Sequence, residues 1–282
     1  MFSDIVVIDE VLTKYLGNSE LVVIPDGVIK IGNSAFSECR SVKNIIIPEG
    51  VKKIDKAAFD CCANLERVNI PESVTRICSW AFHGCSNLTE IKISNHVTCI
   101  EEHAFEGCTS LVDLVIGDNV KSIGDFAFAK CKSLNRILIP DRVNKIGLDA
   151  FARCSWSMES IVVSPNNIKY HSIDNCLIET ETDTLILGCK NSIVPNGVVK
   201  FAHFSFASCK DITRIVIPDS VTSIEDYVFS FCDNLESVTM GNNIKQIGVG
   251  AFNNCPKLTI FAPIGSFAET YANENNILFV AM

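Results

Sequence analysis

The sequence lacks any apolar run of roughly the 18 or more residues that a membrane-spanning helix requires. It also lacks an excess of basic residues, because Lys and Arg total 24 while Asp and Glu total 33, which gives a net charge of −9. An acidic chain is repelled by phosphate backbones, and this argues against general nucleic-acid binding. We therefore expect neither a membrane span nor a nucleic-acid partner.

A secretion signal is also missing from the first residues of the sequence. The segment from Met1 to Glu10 has no basic residue, and its apolar stretch, Ile5 to Ile8, is too short for a signal-peptide core. If Met1 is the native start, this predicts a cytoplasmic location.

The familiar motifs of catalytic and metal chemistry are absent as well. The sequence contains no H-E-x-x-H, G-x-S-x-G, phosphate-binding loop or C-x-x-C pattern. The five histidines and the carboxylates form no ligand set in the sequence. We therefore expect no enzyme, no catalytic residue, no cofactor and no metal site.

What the sequence does contain is a repeat with a period of 23 residues. A Phe recurs at positions 36, 59, 82, 105, 128 and 151, and the same spacing resumes at positions 206, 229 and 252. Three residues after each of these Phe stands a Cys, at positions 39, 62, 85, 108, 131, 154, 209, 232 and 255. A unit this short cannot bury its own apolar side, so the period predicts stacked coils that share one interior.

Each unit divides into extended and tight segments. The unit from Ile70 to Lys92 indicates one strand at Leu88 to Ile93, a second extended piece at Val74 to Ile77, and a compact Ala-Phe-x-x-Cys turn. Pro closes the first strand in most units, where its missing N–H costs least.

The unit reads L-x-x-I-x-I-P-x-x-V-x-x-I-x-x-x-A-F-x-x-C and resembles the repeat of BspA-like leucine-rich repeat proteins from about Leu21 to Phe261. The resemblance implies a leucine-rich-repeat solenoid, a right-handed coil of short parallel β-strands with short helical or irregular connections. It also implies a role in protein interaction, since family members are often bacterial surface or secreted proteins and some are adhesins for host matrix proteins.

Irregular segments divide the chain into five predicted parts. Phe151 and Phe206 are 55 residues apart, so the period breaks between them. Ile173 to Leu177 mirrors Ile8 to Leu12, and we infer a hairpin-like unit at both places. The predicted parts are a capping hairpin (1–20), six repeats (21–163), an irregular hairpin-containing unit (164–200), three repeats (201–261) and a C-terminal cap (262–282).

The C-terminal cap is predicted to contain a short helix that begins after Ser266 as N-cap. Phe267 and Tyr271 are four residues apart, so both can face the last coil. Terminal repeats need such a cover because an open apolar end would aggregate.

The nine cysteines that stand three residues after the repeated Phe, which we call the lattice cysteines, are predicted to form a column of buried thiols. Stacked thiols that point the same way are poorly aimed for disulfide geometry. For the cysteines outside the lattice, the sequence leaves open whether one disulfide forms between two of Cys78, Cys99, Cys176 and Cys189.

Repeat alignment also predicts a binding surface on the first strand. Its fifth position is predicted to be exposed, yet it is apolar at Val115, Leu138 and Val162, which would form a stripe typical of an interface. Ordinary β-propensity on a shielded strand explains these residues equally well. The third position supplies a polar border that includes Arg67, Arg136 and Arg214.

A second column, just before the Ile of V-x-x-I, is basic near the N-terminus. It contains Lys30, Lys53 and Arg76, with Lys52 beside them. This column is either a solvated edge or a site for an acidic protein or an anionic glycan. The sequence thus favours a non-enzymatic scaffold for a protein partner, with carbohydrate or polyanion binding through the basic column as the alternative.

Overall fold

The computed structural model describes residues 4–282, which form two compact units, unit 1 up to residue 151 and unit 2 from 152 to 282. The first three residues of the predicted capping hairpin lie outside the described part of the chain. The division into five sequence segments remains a prediction.

Unit 1 is a solenoid of short strands joined by turns. Its strands are β1 (Ile5–Ile8), β2 (Val11–Tyr15), β3 (Leu21–Val23), β4 (Lys30–Ile31), β5 (Asn44–Ile46), β6 (Lys53–Ile54), β7 (Arg67–Val68), β8 (Arg76–Ile77), β9 (Glu90–Lys92), β10 (Cys99–Ile100), β11 (Asp113–Val115), β12 (Ser122–Ile123), β13 (Arg136–Ile139) and β14 (Lys145–Ile146).

The strands of unit 1 form a long sheet and several short ones. The hairpin strands β1 and β2 and the V-x-x-I strands make an eight-stranded sheet in the order β1-β2-β4-β6-β8-β10-β12-β14, parallel from β2 onward. The L-x-x-I strands pair in parallel as β3-β5-β7 and as β9-β11. Residues one period apart are paired, as Ile54 with Ile77, so the 23-residue spacing sets the register directly. The predicted solenoid is confirmed.

Unit 2 repeats this architecture after an antiparallel insertion. Its elements are β15 (Ser160–Val163), β16 (Tyr170–Ile173), β17 (Cys176–Glu179), β18 (Thr184–Leu187), β19 (Lys200–Phe201), β20 (Arg214–Ile217), β21 (Ser223–Ile224), β22 (Ser237–Met240), β23 (Gln246–Ile247), β24 (Thr259–Ala262), α1 (Phe267–Glu274) and β25 (Leu278–Ala281).

The inferred hairpin occurs at both places, but its connection to the coils differs. β1 and β2 are antiparallel, and β2 pairs directly with the first coil strand, β4. β16 and β17 are also antiparallel, but a further antiparallel strand, β18, stands between them and the coil strand β19. Both tight turns place two residues at positive φ, Asp9 and Glu10 in the first and Asp174 and Asn175 in the second, as a two-residue turn between twisted strands requires.

The core of each unit is a ladder of stacked aromatic rings. In unit 1 the rings run from Tyr15 through Phe36 to Phe151, with centroids 5.0 to 5.6 Å apart. In unit 2 Phe206, Phe229 and Phe252 are stacked at 5.2 Å, and Tyr271 meets Phe252 edge-on at 6.0 Å. Stacked rings of this size dominate the burial energy of a core, so the ladder holds the coils of each unit together.

The backbone around each ladder Phe forms hydrogen bonds to the next coil. The N–H groups of Ser34, Phe36 and Glu38 donate to carbonyls 22 residues later, at 3.1, 2.8 and 2.7 Å. Ser34 and Glu38 have positive φ, at 53° and 60°. The connecting segments are therefore hydrogen-bonded turns rather than short helices, and they hold the side chains of adjacent coils in register.

The C-terminal helix α1 begins as the sequence predicts, with the Ser266 side chain accepting a hydrogen bond from the Glu269 N–H at 3.2 Å. Tyr271 is buried against the last coil, but the prediction for Phe267 is wrong, because its side chain is 42% exposed. The buried face consists of Ala268, Tyr271 and Ala272. Phe267 is about 40° around the helix from Tyr271 but about 100° from Ala268 and about 140° from Ala272, so it lies at the edge of the buried face.

Candidate binding surfaces

The fifth position of the first strand is exposed in both units. In unit 1 the exposed fractions are 47% for Ile46, 52% for Val115 and 51% for Leu138, and in unit 2 they are 44% for Val162 and 64% for Val216. The residues on either side of Leu138, Ile137 and Ile139, are buried. The alternation of the pleat thus turns Leu138 outward. We call these residues the apolar column of their own unit, Ile46, Val115 and Leu138 in unit 1 and Val162 and Val216 in unit 2.

Two polar residues interrupt the apolar column in unit 1. Asn69 occupies the fifth position directly after β7. Its side chain pairs with the backbone of Ile47 as another strand would, since its Nδ2 donates to the Ile47 carbonyl and its Oδ1 accepts from the Ile47 N–H, both at 2.9 Å. Lys92, in the next coil, is exposed. Ile46 is therefore separated from the Val115–Leu138 pair within this unit.

The arginines of the third position are all exposed. Arg67 lies 3.8 Å from the Glu90 carboxylate, a loose ion pair between neighbouring coils. Arg136 in unit 1 and Arg214 in unit 2 begin strands β13 and β20. A shallow groove of about 450 Å³ brings Ile46 and Arg67 together, and its other lining residues include Leu21 and Asn69.

The basic column is largely neutralised by carboxylates. Asp55 contacts both Lys30 and Lys53, at 2.8 and 3.1 Å. Arg76 lies 2.5 Å from Glu101, while Lys52 is exposed. Two carboxylates thus pair with three of the four basic residues and leave a small positive excess, which weakens the case for a strong polyanion site.

A half-buried patch of aromatic and titratable side chains in unit 1 is not predicted by the sequence analysis. Trp80, His103 and Phe126 stack in successive coils, with ring centroids 4.1 and 5.0 Å apart. His83 packs edge-on against Trp80 at 4.7 Å. In unit 2 Phe204 and Tyr227 stack at the same repeat position. The sequence carries a signal for the stacked rings, because each of them stands two positions before a ladder Phe, whereas His83 directly follows Phe82.

Glu106 connects this aromatic patch to a basic residue. Its carboxylate lies 2.6 Å from His103 Nδ1 and 2.8 Å from the Lys130 ammonium. Burial raises the pKa of Glu106, but the hydrogen bonds from Lys130 and His103 outweigh it, so the net pKa is lowered. Glu106 is thus a charged residue that is stabilised by its partners.

The lattice cysteines form the expected column of thiols in each unit. All but Cys39 and Cys255 are buried, and all 14 cysteines are free in the structure, including Cys78, Cys99, Cys176 and Cys189. Several of these thiols donate a hydrogen bond to the carbonyl oxygen of the Phe that stands 26 residues earlier, as Cys62 does to Phe36 at 2.9 Å. The sequence spacing indicates burial but not this hydrogen bond.

Short parallel strands, an aromatic ladder in each unit and an exposed strand face define a leucine-rich-repeat solenoid, which is a repeat scaffold. The sequence profile of the BspA type leucine rich repeat region, with six copies, matches residues 8–121, 85–182 and 186–274. The chain belongs to this family. Among proteins with curated annotation, none matches it.

Solved structures of bacterial leucine-rich repeat proteins have the same fold. A leucine rich cell surface protein from Faecalibacterium prausnitzii A2-165 is 26% identical, with 95% of this chain and 94% of that chain covered and a TM-score of 0.68. A leucine-rich repeat protein from Eubacterium ventriosum is 21% identical, with coverages of 89% and 69% and a TM-score of 0.73. The pneumococcal vaccine antigen PcpA is 18% identical, with coverages of 96% and 91% and a TM-score of 0.66.

Within residues 4–282, no helix has both the length and the apolar character needed to cross a membrane.

Proposed function

We propose that this scaffold binds a protein partner and that the apolar column is part of the contact surface. The observation that carries the proposal is the exposure of large apolar side chains at one repeat position, including Val115 and Leu138 in two successive coils of unit 1. Leu138 and Val115 expose about half of their surface although a polar residue would fit there, as Asn69 and Lys92 do in the same unit. Aligned exposed apolar residues with a polar rim are typical of protein interfaces.

The surrounding charges support the same surface. Arg136 stands on the strand of Leu138, and Arg67 lines the groove that contains Ile46. Arginine is enriched in protein interfaces because its planar group pairs with carboxylates and backbone carbonyls. Arg214 occupies the equivalent position beside Val216 in unit 2. A partner with acidic groups around an apolar centre fits this pattern.

For the class of partner, we propose a cell-surface or host matrix protein, as for adhesins. The support is the family membership together with the likeness to the Faecalibacterium prausnitzii protein at 26% identity. That protein is described as a cell surface protein. On this proposal the chain acts as an adhesin-like scaffold rather than as an enzyme.

Binding of the full chain to immobilised extracellular matrix proteins tests this proposal. Leu138→Glu places a charge in the apolar column and is expected to weaken binding at least about tenfold, because a carboxylate must be desolvated in the contact. Leu148→Glu is the matched control, since Leu148 lies in the same unit and is 56% exposed but is not in the column. It is expected to bind as the unaltered chain does.

Two outcomes would contradict the proposal. Equal binding of the Leu138→Glu and Leu148→Glu variants to every captured partner would reject the apolar column as the contact surface. Absence of binding to any matrix protein would reject the adhesin-like role.

The alternative, carbohydrate or polyanion binding through Lys30, Lys52, Lys53 and Arg76, has weaker support. Three of these four residues contact a carboxylate within 3.1 Å. Binding to a glycan array that falls as salt rises, and that is lost in a Lys52→Glu variant, would favour it.

A further inference from the structure

Three potential metal ligands meet between two adjacent coils of unit 1. Asp60 and Cys61 directly follow the ladder residue Phe59, and His83 directly follows Phe82. His83 Nδ1 lies 2.7 Å from Asp60 Oδ1, and Cys61 Sγ lies 3.4 Å from the same oxygen. The three ligand atoms all lie within 4.8 Å of one another.

The backbone fixes this arrangement. The Cys61 N–H donates to the His83 carbonyl at 2.7 Å, which is one rung of the hydrogen-bond ladder between the two coils. The aromatic ladder holds the same coils together, since the Phe59 and Phe82 rings are 5.0 Å apart. Ligands placed on rigid elements lose little entropy on binding, so the scaffold is preorganised for an ion.

The next coil leaves room around the sulfur. The residue beside Cys61 there is Gly84, which has a φ of 69°. A Cβ at this position would lie 3.3 Å from Cys61 Sγ. The same repeat position is Glu38 and Lys130 in two other coils and glycine again at Gly107, so within unit 1 only Cys61 has a cysteine at this position next to a residue without a side chain.

The site is also open to solvent on one side. The side chains of His83 and Asp60 are 28% and 27% exposed, and Cys61 is half-buried. The lattice cysteines next to Cys61, which are Cys62 and Cys85, are buried, and their thiols donate to Phe carbonyls. Cys61 is therefore the thiol of this region that an ion can reach.

The observed distances fit tetrahedral coordination after small side-chain rotations. Bonds of about 2.0 Å to nitrogen or oxygen and about 2.3 Å to sulfur place tetrahedral donors roughly 3.3–3.8 Å apart. The Asp60–His83 pair must open by less than about 1 Å, and the widest pair must close by about the same amount. Three protein donors leave a fourth position free for water or for another ligand, as in open zinc sites.

We propose that Asp60, Cys61 and His83 form a binding site for one divalent transition-metal ion of the zinc class. A thiolate, an imidazole and a carboxylate together favour Zn²⁺ or Co²⁺, whereas Ca²⁺ and Mg²⁺ prefer oxygen ligands alone. As the sulfur–metal bond forms, the Cys61 thiol releases its proton to the buffer. His83 gives up its hydrogen bond with Asp60 and binds through the Nδ1 lone pair, and Asp60 binds through a carboxylate oxygen.

Titration of the full, phosphine-reduced chain with Co²⁺ tests the site. One equivalent of Co²⁺ is expected to bind and to give the near-ultraviolet charge-transfer absorption of a cobalt–thiolate bond. Cys61→Ser is expected to abolish this absorption, and His83→Ala is expected to weaken binding at least about tenfold, because even removal of indirect supports of a metal site costs this much.

The matched controls are Cys99→Ser and His96→Ala. Cys99 is a half-buried thiol of the same unit, and His96 is an exposed histidine beside Glu72. Both variants are expected to keep the stoichiometry and the absorption of the unaltered chain. The proposal is overturned if the absorption survives in Cys61→Ser, or if no cobalt binds at micromolar to millimolar concentrations.

A second measurement avoids any question about folding of the variants. In the unaltered chain, Zn²⁺ is expected to slow the alkylation of Cys61 at least about tenfold and to leave the alkylation of Cys99 unchanged. Equal alkylation rates of Cys61 with and without Zn²⁺ would reject the site. The outcome is independent of the apolar column and therefore does not bear on the proposed partner.

Discussion

The Cys85 Sγ lies 3.2 Å from the backbone carbonyl oxygen of Phe59, one coil earlier, and its thiol donates a hydrogen bond to that oxygen. The same contact recurs from Cys108 to Phe82 and, in unit 2, from Cys232 to Phe206, at 3.3 Å in both cases. The Phe59 carbonyl also accepts from the Cys62 N–H of its own turn. A small apolar side chain with one weak donor fits this buried position, and cysteine is the residue that offers both.

We therefore expect Cys85→Ala to destabilise the protein by about 1–3 kcal/mol, through the lost sulfur volume and the lost hydrogen bond. Urea unfolding followed by circular dichroism measures this change. Cys99→Ala, at a half-buried thiol, is expected to have a smaller effect. A Cys85→Ala variant as stable as Cys99→Ala would contradict the structural role of the thiol column.

The reactivity of the thiols is expected to divide into two groups. Cys39, Cys61, Cys99 and Cys255 are half-buried, while the other ten cysteines are buried. Burial raises the pKa of Cys209 to about 12 and that of Cys85 well above its usual range. Because the thiolate is the nucleophile, the buried group stays almost unreactive at neutral pH.

Alkylation of the native chain, followed by mass spectrometry of its peptides, measures this difference. The four half-buried thiols are expected to be modified first, and the buried ones only after unfolding. Modification of Cys85 at the rate of Cys99 under native conditions would show that the coils open more readily than the packing implies.

Asp55 is expected to contribute stability that is lost in acid. Burial raises its pKa, but the hydrogen bonds from Lys30 and Lys53 outweigh this effect and lower the pKa from 3.8 to about 2. A lowered carboxyl pKa means that the folded state holds the charged form more firmly than the unfolded state does. The contribution is thus fully present above about pH 5 and disappears as pH falls from about 4 to 2.

Comparison with Asp55→Asn tests this dependence. The variant is expected to melt at a lower temperature than the unaltered chain at pH 7, and the difference is expected to shrink steadily toward pH 3. Asp118→Asn, at an exposed aspartate of the same unit, serves as the control and is expected to show little difference at any pH. A difference in melting temperature that grows in acid would contradict the proposed ion pairs.

The repeat spacing was enough to predict the solenoid, because Phe82, Phe105 and Phe128 stand one period apart and parallel coils must then stack their rings. The ladder begins at Tyr15, which the spacing misses, since Tyr15 precedes Phe36 by 21 residues and belongs to the hairpin strand β2. The hairpin changes the number of residues between Tyr15 and Phe36, but the Tyr15 ring still stacks on the Phe36 ring.

The repeat alignment predicts surface features only at positions where the side-chain direction is set by strand alternation. The alternation of the first strand predicts that Leu138 faces outward. Trp80 and His83 lie on the turns beside Phe82, where alternation gives no direction, so their contacts with His103 and Asp60 appear only in three dimensions. Metal-ligand motifs are usually sought within a few residues, whereas Asp60 and His83 are separated by one full coil.

Two buried hydroxyl groups in unit 2 have no hydrogen-bond partner among the residues that the structure describes, Ser205 Oγ and Ser230 Oγ. Ser205 precedes the ladder residue Phe206, and six coils of unit 1 have alanine at this position (Ala35, Ala58, Ala81, Ala104, Ala127 and Ala150). An unpartnered buried hydroxyl costs free energy, since its hydrogen bonds to water are lost without replacement. Ser205→Ala is therefore expected to raise the free energy of unfolding by about 1 kcal/mol.

Substitution of Ser192 by alanine is expected to have the opposite effect and to lower the free energy of unfolding. Its Oγ donates to the Asn175 carbonyl at 2.7 Å and accepts from the Cys189 N–H at 2.8 Å, so Ser192→Ala leaves both groups without this partner. Urea unfolding of the two variants gives the comparison directly, because both lie in unit 2 and lose the same atom. If Ser205→Ala destabilised the chain as much as Ser192→Ala, Ser205 Oγ would have to make a hydrogen bond in solution, and the coil before Phe206 would pack differently from its alanine counterparts.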